Sequence, residues 1–271
     1  MTGTVPVLSI VFMVISCLAA FALPIVLLVY FRTRKGADVL PFFIGCAVML
    51  LFALILERAI NNAVLSSSLG AAIQGNTWLY ALFGGIMAGL FEETGRFIAF
   101  KTVLRNRQGN DANALMYGAG HGGFEAVVVL GISMVVNIAF SLTINSGGVE
   151  ALTGSLPADQ VIYFETAIKG LFTAPSYQFL LGGVERIFAV VLHIALSVLV
   201  WFAAKTPGKG HLYPLAILIH LAVDAAAVLL ARFGVQALLV EAAVGILAAL
   251  TAVYARRVWI ANATLPPEHT D

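Results

Sequence analysis

The chain has 271 residues, of which 61% are hydrophobic and only 11% charged, with a formal net charge of +1 and a mean hydropathy of +0.97. That balance excludes an ordinary water-soluble domain and points to a polytopic membrane protein in contact with the lipid bilayer. Near-zero charge and short, dispersed basic clusters leave no footprint for a nucleic-acid partner.

Seven spans are expected in chain order, at 7–31, 39–57, 77–100, 112–144, 177–204, 212–231 and 235–255. Together they make an all-α, polytopic transmembrane helix bundle, a single integral-membrane domain over 1–271. The opening MTGTVP lacks a basic cluster and the apolar run behind it exceeds a signal-peptide core, so a retained first helix is expected. The fourth span is overlong and should tilt, bend or begin with a solvated turn. Residues 145–176 read as an extracytoplasmic loop or lid, and the chain closes on the short tail ATLPPEHTD.

With the N-terminus outside, the inner segments hold Arg32, Arg34, Lys35, Lys101, Arg105, Arg107, Lys205, Lys209, Arg256 and Arg257. The outer segments hold Arg58, Lys169 and Arg232, so the basic residues divide ten against three. The C-terminus is therefore expected in the cytoplasm of a multi-pass cell-membrane protein. Trp78, Trp201 and Trp259 lie at span ends, where tryptophan anchors a helix at the interface. Cys17 and Cys46 fall within spans and read as small apolar fillers.

Ionisable side chains inside spans are expensive in lipid and mark candidate sites. Here they are Glu92, Glu93, Arg96, His121, Glu125, Glu185, Arg186, His193, His220, Asp224 and Glu241. Glu92/Arg96, His121/Glu125 and His220/Asp224 are each four residues apart and Arg186/His193 seven, so each pair shares a helix face. Counted from the inner boundary, Glu93, His121, His193 and His220 lie at one depth, roughly 12 to 18 Å into the bilayer at ~1.5 Å per residue. Glu185 and Arg186 fall nearer the outer side, as a support pair or access gate.

Gly85 and Gly89 precede Glu93 at four-residue intervals, and Gly118, Gly120, Gly122 and Gly123 surround His121. The first pair fits close helix packing, and the second group also fits a locally flexible helix with accessible carbonyls. Imidazoles on three helices, with carboxylates one turn from two of them, supply the ligand types of a divalent metal with an open position for water. Glu92, Glu93, Glu125 and Asp224 face Arg96 alone, so protons or a metal ion must balance the charge. Plainer readings are a structural ion pair for Glu92 with Arg96, and a satisfied core histidine for His193. His211 and His269 lie at a boundary and in the tail and read as incidental.

The stretches EETGR (92–96), YGAGHGGFE (117–125), ERIFAVVLH (185–193) and HLAVD (220–224) resemble the YhfC-type membrane peptidases, relatives of the CAAX-processing and bacteriocin-processing intramembrane proteases. The resemblance covers roughly 77–231, which would be the protease core. It implies an intramembrane endopeptidase acting on a membrane-inserted or membrane-bound polypeptide, with Glu92 or Glu93 as the water-activating base. Arg96 would orient that pair, and His121, Glu125, His193 and His220 would hold zinc. The prenyl-protein branch spaces its Arg one residue further from the Glu pair, and has Phe where this chain has Tyr117. An ionised Asp224 cannot donate to an oxyanion and suits a metal-dependent site as ligand or as the group that fixes the His220 tautomer. A metal-free glutamate/histidine protease, a proton- or metal-coupled transporter and a non-catalytic scaffold are the competing readings.

Overall fold

A computed structural model describes residues 3–264. His269 and the tail beyond Thr264 lie outside the described residues. The elements are α1 (Val7–Lys35), α2 (Leu40–Leu65), α3 (Ser68–Gly75), α4 (Thr77–Lys101), α5 (Ala112–Gly147), α6 (Glu150–Thr153), α7 (Ala158–Thr173), α8 (Tyr177–Lys205), α9 (Leu212–Arg232) and α10 (Ala237–Asn262). Six of them, α1, α2, α5, α8, α9 and α10, are long and apolar enough to cross a membrane. The 25-residue α4 is the expected span outside that set, and it is the helix that carries Glu92, Glu93 and Arg96. The protein is a multi-pass membrane protein, and the many outward-facing aliphatics, among them Leu8, Val26, Leu218 and Leu250, suit a lipid surface.

Two helices contain π-helical turns, Met49–Glu57 within α2 and Ala126–Gly131 within α5. A wider turn of this kind shifts side chains around the helix axis. The overlong span expected at 112–144 thus holds a local widening. It does not begin with a solvated turn: Asp111, Ala112, Asn113 and Ala114 are all buried. The reason is polar capture. Asp111 accepts from Trp201 Nε1 at 2.8 Å and from Lys205, and Asn113 Nδ2 donates to Asp38 and to the Arg107 carbonyl. Trp201 is accordingly fully buried and not an interfacial anchor, because its indole N–H has a carboxylate to meet inside the protein.

The chain forms two compact units. One comprises the described part of Met1–Ala22 with Ala126–Arg186. Its core gathers Met13, Leu130, Met134, Ile144, Ile168 and Leu171. Asn145 brackets Val5, accepting from its N–H at 2.7 Å and donating to its carbonyl at 2.9 Å. The expected loop at 145–176 contains α6 and α7, and Glu185 and Arg186 are bonded to each other.

The other unit comprises Leu23–Glu125 and the described part of Ile187–Asp271. Its core is centred on Phe100, Tyr117, Leu196, Leu199, Trp201 and Phe202. In lipid there is no hydrophobic force between helices, so association depends on close van der Waals contact and internal polar bonds. Glycine supplies that contact. A Cβ at Gly85 would lie 2.6 Å from the Leu221 carbonyl oxygen and one at Gly89 2.8 Å from that of Ile217, so α4 lies backbone to backbone on α9. Gly120 in the same way meets Phe42, and Gly45 meets Tyr117, which closes α2 on α5. Helix α8 is the most enclosed, with 72% of its most apolar window buried against 22–28% in the other five candidates.

Candidate functional site

Of the ionisable residues singled out in the spans of this larger unit, all but Glu241 of α10 converge in the contacts described below. Glu92, Glu93 and Arg96 come from the C-terminal half of α4, His121 and Glu125 from α5, His193 from the enclosed part of α8, and His220 and Asp224 from α9. The glycines around His121 position it by permitting contact. A Cβ at Gly118 would lie 2.6 Å from Ile194 Cα, one at Gly122 2.9 Å from His193 Cβ, and one at Gly123 2.5 Å from Pro24 Cβ. Their role is therefore close packing of α5 on α1 and α8, with Gly120's carbonyl accepting from Cys46 Sγ at 3.3 Å.

Glu92 and His121 form the first contact, Nε2 to Oε2 at 2.9 Å. His193 Nδ1 lies 3.8 Å from the same carboxylate oxygen, and its Nε2 reaches Glu125 Oε2 at 2.6 Å. Glu92, His121 and His193 each offer a ligand atom, all within 4.8 Å of one another, and all three residues are buried. With Nε2 directed at Glu92, His121 Nδ1 remains a buried nitrogen with no hydrogen-bond partner among the described residues. Two imidazoles and one carboxylate, with one of the ring nitrogens orphaned, are a donor set that fits a divalent metal. Glu125 beside His193 is the kind of carboxylate that fixes the ring of a ligating histidine.

The second contact set is built on Glu93. Its Oε2 accepts from Arg96 and its Oε1 meets His220 Nδ1 at 2.9 Å, so both oxygens are engaged and sealed from solvent. Arg96 thus pairs with Glu93, three residues away, and not with Glu92, four away. Its other terminal nitrogen lies 3.1 Å from His193 Nδ1. Read with arginine as the obligatory donor, Nδ1 is the acceptor, which leaves the ring proton on Nε2, 2.6 Å from Glu125 Oε2. His220 Nε2 is 3.5 Å from Asp224 Oδ2, and Asp224, with a side chain 38% exposed, is the carboxylate of the group most open to the outside. The rings run in sequence, His121 to His193 at 5.0 Å and His193 to His220 at 5.4 Å between centroids. Tyr117 stacks on His121 at 6.0 Å and meets Phe100 edge-on at 4.6 Å.

The structure divides the residues differently from the grouping expected in sequence. Glu92 joins the metal-compatible set, while His220 lies with Glu93 and Asp224. Sequence reading passed over Glu57, which was placed at a span end. It lies in the π-helical part of α2, bonded to Asn61 at 3.1 Å and near enough to Glu92, His220 and Asp224 to feel their charges. A carboxylate within the apolar run Met49–Glu57 was the available signal.

Comparison with known proteins places the chain in a family. The chain is 37% identical over 259 residues to the uncharacterized membrane protein YhfC of Bacillus subtilis (strain 168), covering 94% of this chain and 96% of the relative. No solved structure matches it. The family described as YhfC intramembrane metalloprotease matches residues 19–245, a stretch that includes every residue of the cluster. With the motif helices, the buried Glu/His/His group and near full-length similarity in agreement, the chain belongs to the YhfC intramembrane metalloprotease family.

Proposed function

We propose that the protein is an intramembrane endopeptidase that hydrolyses peptide bonds of a membrane-inserted or membrane-bound polypeptide, with its N-terminus outside and its C-terminus in the cytoplasm. The observation that carries this reading is the buried Glu92/His121/His193 group, whose ligand atoms lie within 4.8 Å of one another. These three residues would hold a divalent cation, zinc by ligand type. When bound, such an ion polarises a peptide carbonyl and makes water acidic enough to supply hydroxide near neutral pH.

The remaining residues have distinct tasks. Glu125, whose Oε2 lies 2.6 Å from His193 Nε2, favours the proton on that nitrogen and leaves Nδ1 directed toward Glu92. For His193 to offer that nitrogen, Arg96 must give up its contact there and keep its bond to Glu93. Glu93 is a weak candidate for the base, since both its oxygens are engaged, and it serves to hold His220. His220, between Glu93 and Asp224, takes the proton of the attacking water at Nε2 and returns it to the leaving amide nitrogen, with Asp224 stabilising the charged ring.

A metal-free protease is favoured by one specific contact, the direct 2.9 Å bond between His121 and Glu92. In that version Glu92 takes the proton from water and His121 stabilises the pair. Metal content of the detergent-purified protein, measured after zinc saturation and mild washing, separates the two. Near-stoichiometric zinc in the wild type, lost in Glu92→Gln, His121→Ala and His193→Ala but kept in His220→Ala, supports the metal site. Cleavage of a reconstituted single-span reporter polypeptide should vanish in all four variants. Zinc-free wild-type protein that still cleaves would establish the metal-free version. Zinc or proton movement across vesicles without cleavage would replace the protease by a carrier.

A further inference from the structure

The larger unit contains a second feature, a cleft of about 1060 Å³ that lies apart from the histidine cluster in its lining. Its walls are the apolar faces of three helices. Leu115 comes from α5, Val191, Ile194 and Val198 from α8, and Ala252 and Trp259 from α10. Its mouth carries Arg34 and Lys35 from the last turn of α1 and Arg256 from the C-terminal third of α10, all three exposed.

The charge at this mouth is one-sided. Asp111 is the acidic residue in the lining, and its oxygens are already engaged: Oδ1 by Trp201 and Lys205, Oδ2 by the N–H and hydroxyl of Thr264 at 2.9 and 3.2 Å. Among the described residues no ion pair joins Arg34, Lys35 or Arg256 to a carboxylate. An apolar trough between helices, capped by three unneutralised cations at their basic ends, matches an amphiphile with a long hydrocarbon chain and an anionic head. The volume stands just above the usual range of ligand sites, about 300–1,000 Å³. Basic pockets of this kind at the cytoplasmic ends of membrane helices recognise anionic headgroups.

We propose that the cleft binds an anionic phospholipid of the surrounding leaflet, with one acyl chain against Val191, Ile194, Val198 and Ala252 and the phosphate between Arg34, Lys35 and Arg256. A neutral or zwitterionic lipid can fill the same trough but gains less from the cations. Each cation is expected to contribute about fivefold to the preference at low salt, the equivalent of the attraction of one basic residue near an anionic surface.

The test uses the full chain reconstituted in phosphatidylcholine vesicles containing a minor fraction of spin-labelled phosphatidylglycerol or spin-labelled phosphatidylcholine. The relative association constants come from the motionally restricted fraction. Phosphatidylglycerol should be preferred at least tenfold by the wild type. The preference should fall to near parity in Arg34→Gln/Lys35→Gln/Arg256→Gln, whose positions are exposed and outside the core. Lys101→Gln/Arg105→Gln, which neutralises a different basic cluster, should retain it, and Ala252→Trp should reduce it by filling the trough. Equal loss in the Lys101/Arg105 variant would reduce the effect to general surface charge and overturn the site. No preference in the wild type would also overturn it. If a preference then emerged on deleting 265–271, the occupant would be the chain's own C-terminal segment.

Discussion

Replacing Arg96 with glutamine should destabilise the folded protein by about 3–5 kcal/mol, the usual consequence of removing one partner from a fully buried ion pair. Arg96 and Glu93 are both 0% exposed at the side chain, so Glu93 has no bulk solvent beside it to replace the guanidinium. His220 remains on Oε1, so one hydrogen bond survives, but the carboxylate loses its only arginine. The unfolding equilibrium constant would rise by roughly two to three and a half orders of magnitude. Equilibrium unfolding in mixed micelles, followed by tryptophan fluorescence, measures this directly. The double variant Arg96→Met/Glu93→Gln removes both charges and should recover most of the loss, giving a large coupling term in the mutant cycle. A loss below ~1 kcal/mol for Arg96→Gln, or a double variant no better than the single one, would refute the description of Arg96 and Glu93 as a sealed pair.

Gly85→Ala should cost about 1–3 kcal/mol by forcing α4 off α9, because the new methyl would lie 2.6 Å from the Leu221 carbonyl. Gly84→Ala, one residue away with nothing within 4 Å, should be neutral or gain up to about 1 kcal/mol of helix propensity, and the same unfolding assay compares them. Glu125→Gln should weaken zinc binding about 10–100-fold without abolishing it, as read by competition with a chelator of known affinity, since Glu125 acts on the orientation of His193. Asp111→Ala should cost about 1–3 kcal/mol by leaving the buried Trp201 N–H without an acceptor, and an unchanged unfolding midpoint would count against that role.

Much of the fold follows from local chemistry. Long apolar runs specify helices wherever backbone groups cannot bond to water, so the membrane helices and the charged exceptions within them are visible in the chain itself. Four-residue spacing likewise shows that His121 with Glu125, and His220 with Asp224, share faces. The pattern does not reveal which faces meet. Glu92 and Glu93 are adjacent in sequence, yet they point about 100° apart around α4, so one meets His121 and the other Arg96 and His220.

Trp201 shows the same limit. Its place near a span end suggests an interfacial anchor, but Asp111, ninety residues earlier, gives its N–H a buried partner and draws the ring inside. Glu57 reads as the end of a span, and the structure places it in the widened part of α2, bonded to Asn61. The glycines of α4 and α5 announce close approach, and only the packed helices identify Leu221, Phe42 and Ile194 as the backbones approached. Sequence by itself thus determined the helices, their membrane character and the set of residues able to do chemistry, because these depend on composition and period. Tertiary structure decided the partition of that set into a Glu92/His121/His193 group and a Glu93/Arg96/His220 group, because pairing across helices depends on their relative rotation, which no spacing within one helix records.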